Sequence, residues 1–185
     1  MLLESIVLAV FIGFLAGGKL TTLLEVRVKK VGLLIVGALL QAVAFWSVKS
    51  NLDFGFSGVV PILHSFSYLL LLGFTVVNRS FPGISIVSLG IALNALVISL
   101  NGGLMPVDPT YLPEASLRLL QAGTGTHGLV TEMTHLKFLA DIFYSDIPGI
   151  GKQLFSLGDV FIDLGIGIFI VRTMRIRNGE APRKL

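Results

Sequence analysis

Three aspartates stand in apolar stretches of this sequence. Asp141 lies within FLADIF, while Asp159 and Asp163 lie four residues apart in LFSLGDVFIDLGIGIFI. Two carboxyl groups that share a proton can activate water, one as base and one as acid, because neighbouring like charges push their pKa values apart. Asp141 and Asp159 are therefore candidates for a catalytic pair of the aspartic-protease kind.

Simpler roles compete with catalysis at two of these positions. The stretch SLGD has the form of a capping box, in which Ser156 and Asp159 would close the N-terminus of a helix. Lys137 stands four residues before Asp141, so a surface ion pair is the simpler account of Asp141. Asp163 shares a helix face with Asp159 but lies one turn deeper. Helix capping does not explain it there, and we interpret it as part of a buried polar site.

The composition indicates an integral membrane protein. Of the 185 residues, 54% are hydrophobic and 14% are charged, whereas a soluble domain averages about 25% charged residues. This size suits one compact membrane domain over residues 1–185. The chain has no cysteine and three scattered histidines, so we predict no disulfide, no metal site and no cofactor. Its net charge of +3 comes from basic residues beside apolar segments, so we predict no nucleic-acid partner.

Five apolar runs predict an all-α bundle of five membrane spans. Ten of the fourteen basic residues fall on one side if the N-terminus is outside and the C-terminus is cytoplasmic, as the positive-inside rule requires. The first run lacks a basic leader and begins after Glu4, so we interpret it as a retained span in a bacterial cytoplasmic membrane. The predicted spans are 2–17, 31–48, 58–77, 84–100 and 157–171.

The segment 101–156 would then be one long extracytoplasmic loop. It is too long for a plain connector, so we expect it to carry structure or function. A proline near its start and a glycine at its end predict a short helix over 113–122. Met133, Leu136, Ala140 and Phe143 recur at helical spacing, which predicts a second helix over 131–143 lying along the membrane surface. His127 and His135 are interpreted as exposed or interfacial histidines of this loop.

Four intramembrane polar residues fall at a common depth on the predicted spans, roughly 9–10 Å below the outer surface. Such residues either hold helices together or line a hydrated cavity. In the second case Asp163 and His64 would be proton-active partners. The four residues are Gln41, His64, Asn94 and Asp163.

The stretches FLADIF, LFSLGDVFIDLGIGIFI and NGGLM together resemble lipoprotein signal peptidase, the bacterial signal peptidase II. Ser156 and Gly158 stand where that family has Asn and Ala. The resemblance implies that Asp141 and Asp159 form the catalytic pair and that Asn101 supports it. It further implies membrane-anchored polypeptide or lipoprotein substrates, cut near the outer face without a cofactor.

Over its whole length the chain is more similar to a family of small bacterial membrane proteins known only as a domain of unknown function. The similarity rests on NGGLMPV, on the pattern T-x-L-x-FL-x-D before Asp141, and on S-x-GD at the start of the last span. This resemblance implies no activity.

Three functions are compatible with these patterns. The first is an intramembrane aspartyl peptidase that uses Asp141 and Asp159, with Asp163 tuning or lining the site. The second is a small transporter or lipid-handling protein, whose cavity is the polar layer. The third is a non-catalytic membrane subunit that uses the long loop as a docking surface. Membrane lipid is an expected partner in all three.

Overall fold

The computed structural model describes residues 2–49, 58–121, 125–147 and 151–175. The chain is mostly helical, and the prediction of a helical protein is confirmed. Five long helices follow the five apolar runs, with ends within a few residues of those predicted. A one-turn helix follows the first of them, and a short one lies in the long loop. In chain order the helices are α1 (Leu2–Leu15), α2 (Thr21–Leu24), α3 (Val31–Lys49), α4 (Val59–Val77), α5 (Ile84–Leu100), α6 (Glu114–Gln121) and α7 (Leu157–Met174).

One described helix, α4, is both long and apolar enough to cross a membrane. Helices α1 and α5, and the apolar part of α3, are shorter apolar helices of 10–17 residues. Many large hydrophobic side chains of these four helices are exposed, among them Phe11 on α1 and Ile62 and Leu69 on α4. Exposed apolar surface on this scale is typical of a protein that contacts lipid or another apolar partner.

Helix α7 is central to the packing, between α1 on one side and α5 on the other, while α4 joins α5 to α3. Small residues allow α5 and α7 to approach until their backbones touch. A Cβ atom added at Gly165 would lie 2.7 Å from both the Gly83 oxygen and the Val87 nitrogen. Gly83 also has a φ of 82°, a conformation that favours glycine. We call this contact the glycine seam (Gly83, Gly90, Gly158 and Gly165).

The long loop contains two small sheets that were not predicted. Strands β1 (Met105–Val107) and β2 (His127–Leu129) pair in parallel. Strands β3 (Phe143–Ile147) and β4 (Gly151–Phe155) form an antiparallel pair. Helix α6 lies in the predicted 113–122 segment. The expectation that the loop carries structure is therefore confirmed.

The predicted surface helix over 131–143 is wrong. Its residues form turns, a 3-10 turn at Lys137–Leu139 and the start of β3. Leu136 has a left-handed φ of 52° and Ala140 is extended, so a helix cannot pass through either position. Leu139 instead packs with Val97, Ile98 and Met105 in a buried cluster. Of the four residues at helical spacing, Met133 and Phe143 are exposed, so the spacing does not define one buried helix face.

Candidate active site

Asp159 lies in the first turn of α7, where it completes the predicted capping box. Its backbone N–H donates to Ser156 Oγ at 3.0 Å, and its Oδ2 accepts from the Ser156 N–H at 3.0 Å. Its Oδ1 accepts from Asn94 Nδ2 at 2.8 Å, and Ser156 Oγ donates to Asn94 Oδ1 at 2.9 Å. Asp159 therefore caps its own helix and also fixes that helix to α5.

Asp141 is held by strand pairing rather than by a helix. Its N–H donates to the Pro106 oxygen at 2.9 Å, and its oxygen accepts from the Asp108 N–H at 3.0 Å. It thereby extends the sheet on the side of β1 opposite β2. The residue is 7% exposed, so it is buried and not part of a surface ion pair. Among the described residues, its buried Oδ1 has no hydrogen-bond partner.

The two aspartates meet in one pocket of about 240 Å³ between the helices and the loop. Three members of the predicted polar layer, Gln41, His64 and Asn94, also line this pocket. The sequence-based reasoning had not placed the remaining residues in a site. They are Phe45, Tyr68, Met105, Thr126 and His127.

The surroundings of the two carboxyl groups differ in a way that suits an acid and a base. Burial raises the pKa of Asp141 to about 7, and the nearby charge of Asp159 adds to the effect. Asp159 instead accepts two N–H donors at a helix N-terminus, a setting that suits a carboxylate. Near neutral pH Asp141 can therefore hold a proton in this pocket, opposite an Asp159 carboxyl group whose two oxygens each accept an N–H donor.

His64 has a defined orientation in the wall of this pocket. Its Nδ1 lies 3.0 Å from the Gly103 oxygen, and a carbonyl oxygen can only accept, so the proton is on Nδ1. In the neutral ring the lone pair is then on Nε2. The Tyr68 ring meets the imidazole edge-on, with centroids 5.3 Å apart. His64 thus links α4 to the loop and supplies an acceptor nitrogen.

Asp163 faces another part of the molecule. Its Oδ2 accepts from Ser5 Oγ on α1 at 2.7 Å. It lines a second cavity of about 480 Å³ beside Leu2, Phe155 and Ile162, which shares only Asp159 with the first pocket. The structure therefore brings together three of the four residues of the predicted layer and places Asp163 against α1.

Asn101 lies at the end of α5, outside the residues that line the pocket. Its Nδ2 donates to the Val97 and His135 oxygens at 2.7 and 3.0 Å, and its Oδ1 accepts from the His135 N–H at 2.9 Å. Asn101 thus fastens the loop to the helix.

His127 was interpreted as an exposed loop histidine, and its side chain is 46% exposed. Its Nε2 nevertheless lies 3.8 Å from Asp141 Oδ2. The parallel pairing of β1 with β2 produces this approach, and strands of three residues leave no readable periodicity. Within the described ranges, no group of three or more His, Asp or Glu side chains could hold a metal ion.

The model of a protein family matches residues 25–171 of this chain. Its description is "Family of unknown function (DUF5317)". The chain belongs to this family. The match contains every residue that lines the two-aspartate pocket and leaves out α1 and α2. This confirms the predicted membership in a family of unknown function.

A protein of Thermotoga maritima described as "Uncharacterized protein" is 30% identical to the DUF5317 chain over 156 residues. The alignment covers 76% of this chain and 89% of that protein. No solved structure matches. None of these comparisons shows the resemblance to lipoprotein signal peptidase.

Proposed function

We propose that this DUF5317 protein is a five-span protein of a bacterial cytoplasmic membrane, with its N-terminus outside and its C-terminus cytoplasmic. Five apolar helices with exposed apolar side chains and the bias of basic residues toward one set of connections support this topology. Asp141 in the long loop and Asp159 in the first turn of α7 would then lie near the outer interface.

At that position we propose an aspartyl peptidase that acts on membrane-anchored polypeptides. The observation that carries this proposal is the pairing of two aspartates in one pocket, one buried with a pKa near 7 and one held by N–H donors. A protonated and an ionised carboxyl group in one pocket can act as the general acid and the general base that add water to an amide.

In the proposed reaction Asp159 takes a proton from water as the oxygen of that water forms a bond to the scissile carbonyl carbon. Asp141 donates its proton to the carbonyl oxygen, which gives a neutral gem-diol. Asp159 then passes its proton to the amide nitrogen and the C–N bond breaks. One hydroxyl of the gem-diol returns a proton to Asp141. Water is consumed, and both carboxyl groups regain their starting states.

The hydrogen bonds of Asp159 leave the second lone pairs of its two oxygens for this chemistry. Asn94 and the Ser156 N–H each engage one oxygen once, and a carboxylate has about four acceptor positions. Asn94 and Ser156 would hold Asp159 in place through the proton transfers. His64 on the opposite wall offers a lone pair to the N–H of a bound polypeptide.

The direct test compares the membrane proteins of cells that express the wild-type chain or Asp141→Asn, by mass spectrometry of protein N-termini. We expect new N-termini just outside the membrane only with the wild type. Asp159→Asn should abolish them as well, whereas Asp146→Asn, which changes an exposed aspartate of β3, should keep them. Identical N-termini in wild type and Asp141→Asn would remove the peptidase proposal.

A second candidate is a small transporter or lipid-handling protein. Its support is that Gln41, His64 and Asn94 line the pocket together with both aspartates. Asp163, its expected proton partner for His64, instead faces α1. Proton uptake coupled to movement of a small solute into vesicles, abolished by His64→Gln but retained in Asp159→Asn, would favour transport over hydrolysis.

A further inference from the structure

The position of His127 gives the buried Asp141 a route to water. Asp141 is largely enclosed, with a side chain 10% exposed, whereas the neighbouring His127 side chain is 46% exposed. The 3.8 Å between His127 Nε2 and Asp141 Oδ2 is longer than a hydrogen bond, but a small rotation of the imidazole closes it. The ring therefore stands between the solvent and the buried carboxyl group, whose protonation state must equilibrate with the solvent before a reaction begins.

Thr126 makes this imidazole suited to changing its protonation state. Its Oγ1 lies 3.0 Å from His127 Nδ1. A hydroxyl can accept from a protonated Nδ1 or donate to a bare one, so this contact survives in either tautomer and in the imidazolium. Strand pairing fixes the backbone on both sides of the gap between His127 and Asp141. The Met105 N–H donates to the Thr126 oxygen at 2.8 Å, and the Asp141 N–H donates to the Pro106 oxygen at 2.9 Å.

We propose that His127 is the proton relay of Asp141, exchanging protons between the external solvent and the buried carboxyl group. A solvent proton binds Nε2 of the neutral ring and forms an imidazolium. The Nε2 proton then passes to Asp141 Oδ2, and the ring returns to its neutral form with Nδ1–H donating to Thr126. The reverse sequence releases the proton.

Three other side chains face Asp141, and each is less suited than His127 to exchange protons with the solvent. Asp159 on α7 is engaged by Asn94 and by its own helix cap. His64 on α4 is buried and is bound through Nδ1 to the Gly103 oxygen. Tyr68 on the same helix has a hydroxyl that does not ionise in the neutral range. Among these four, His127 alone has an exposed side chain. Desolvation lowers the pKa of His127 to about 4, below that of Asp141, so its imidazolium is short-lived and passes its proton on to Asp141.

The catalytic use of this relay rests on the proposed function, but the relay itself is measurable without a substrate. The protonated Asp141 carboxyl group has an infrared C=O stretch, identified by its absence in Asp141→Asn. In D₂O, its shift reports how fast the proton exchanges with solvent. We expect His127→Gln to slow this exchange by about 100-fold, the size typical of a lost proton-transfer group. His135→Gln, which changes another histidine of the loop, should leave the rate unchanged.

Thr126 provides a second, milder variant that preserves the imidazole. Thr126→Ser should exchange like the wild type and Thr126→Val should be slower, because valine offers the ring no adaptable partner. An exchange rate in His127→Gln equal to that of the wild type would overturn the relay. Slowed exchange with no detectable hydrolysis would keep the relay and remove the peptidase. Unchanged exchange with normal hydrolysis would remove the relay alone.

Discussion

The two aspartates are held by two regions that differ in kind. Asp159 stands on the glycine seam, where α5 and α7 pack backbone to backbone and every oxygen of its carboxylate is hydrogen-bonded. Asp141 stands in the long loop, where strand pairing fixes its backbone but its buried Oδ1 lacks a partner in the described structure. The molecule thus keeps one carboxylate satisfied and leaves the other costly to ionise, which is a requirement for an acid–base pair.

The largest test of this contrast is the pH dependence of stability. The pKa of Asp141 is raised from 3.8 to about 7 in the folded protein, so the folded state binds the proton more tightly than the unfolded state does. This contribution is fully present below pH 3.8 and is lost as the pH rises through about 7, a change of up to about 4 kcal/mol.

Denaturant titration in detergent micelles between pH 4 and pH 8 measures this loss. Asp141→Asn should flatten it, because an amide has no proton to lose. Asp146→Asn, at an exposed position of β3, should retain it. A wild-type chain whose stability rises over this range would show that Asp141 is not the costly member of the pair.

The seam that holds Asp159 is tested by two glycines of α7. Gly165→Ala places a methyl group 2.7 Å from the Gly83 oxygen, so α5 and α7 must separate, at a cost of about 2–3 kcal/mol in the free energy of unfolding. At Gly167 the nearest atom is Ala9 Cβ at 3.9 Å. Gly167→Ala should therefore gain up to about 1 kcal/mol from helix propensity. Equal effects at both positions would contradict backbone contact as the support of Asp159.

Removing the Ser156 hydroxyl, which caps α7 together with Asp159, should destabilise the same region by a smaller amount. Ser156→Ala deletes the acceptor for the Asp159 N–H and the donor to Asn94, and we expect a loss of about 1–2 kcal/mol in the free energy of unfolding. Ser88→Ala is the matched control, since that hydroxyl donates only to Ile84 within its own helix. A loss in Ser88→Ala as large as that in Ser156→Ala would show that the cap has no special weight.

The smallest expected change in stability concerns Asn101, whose hydrogen bonds connect the long loop to α5. Asn101→Ala removes the hydrogen bonds to Val97 and His135 and should cost about 1 kcal/mol. Hydrogen exchange at the His135 amide should rise, while exchange within α7 stays unchanged. Asn101→Asp keeps the acceptor for the His135 N–H and should protect that amide better. Faster exchange in α7 as well would mean that the loop and the seam are one unit.

The sequence predicts the helical region well because its signals are local. Apolar runs place the five long helices, and the capping box needs only the three-residue step from Ser156 to Asp159. The loop cannot be predicted from local signals, because the position of Asp141 depends on a backbone hydrogen bond to Pro106, 35 positions earlier. No local pattern records that pairing, and the apolar spacing over 131–143 imitates a helix.

Asp163 shows a second limit of sequence-based prediction: helix periodicity alone does not tell which neighbouring helix a residue faces. Residues four apart share a face, but with 3.6 residues per turn they differ in direction by about 40°. That rotation separates Asp159, which reaches Asn94 on α5, from Asp163, which reaches Ser5 on α1. The place of Asp163 one turn beyond Asp159 on α7 follows from the sequence, while the helix that it faces depends on the packing of the neighbours.

The strand hairpin β3–β4 connects the two aspartates along the chain, and the order of synthesis gives this a consequence. The strands that hold Asp141 are complete before α7 is made, but its partner arrives only with α7, which must find α5 across the loop. A chain that stops short of α7 thus carries Asp141 but lacks Asp159, its partner in the pocket. The pair comes into being with the last helix, so the pocket with both carboxyl groups is complete only once the bundle is assembled.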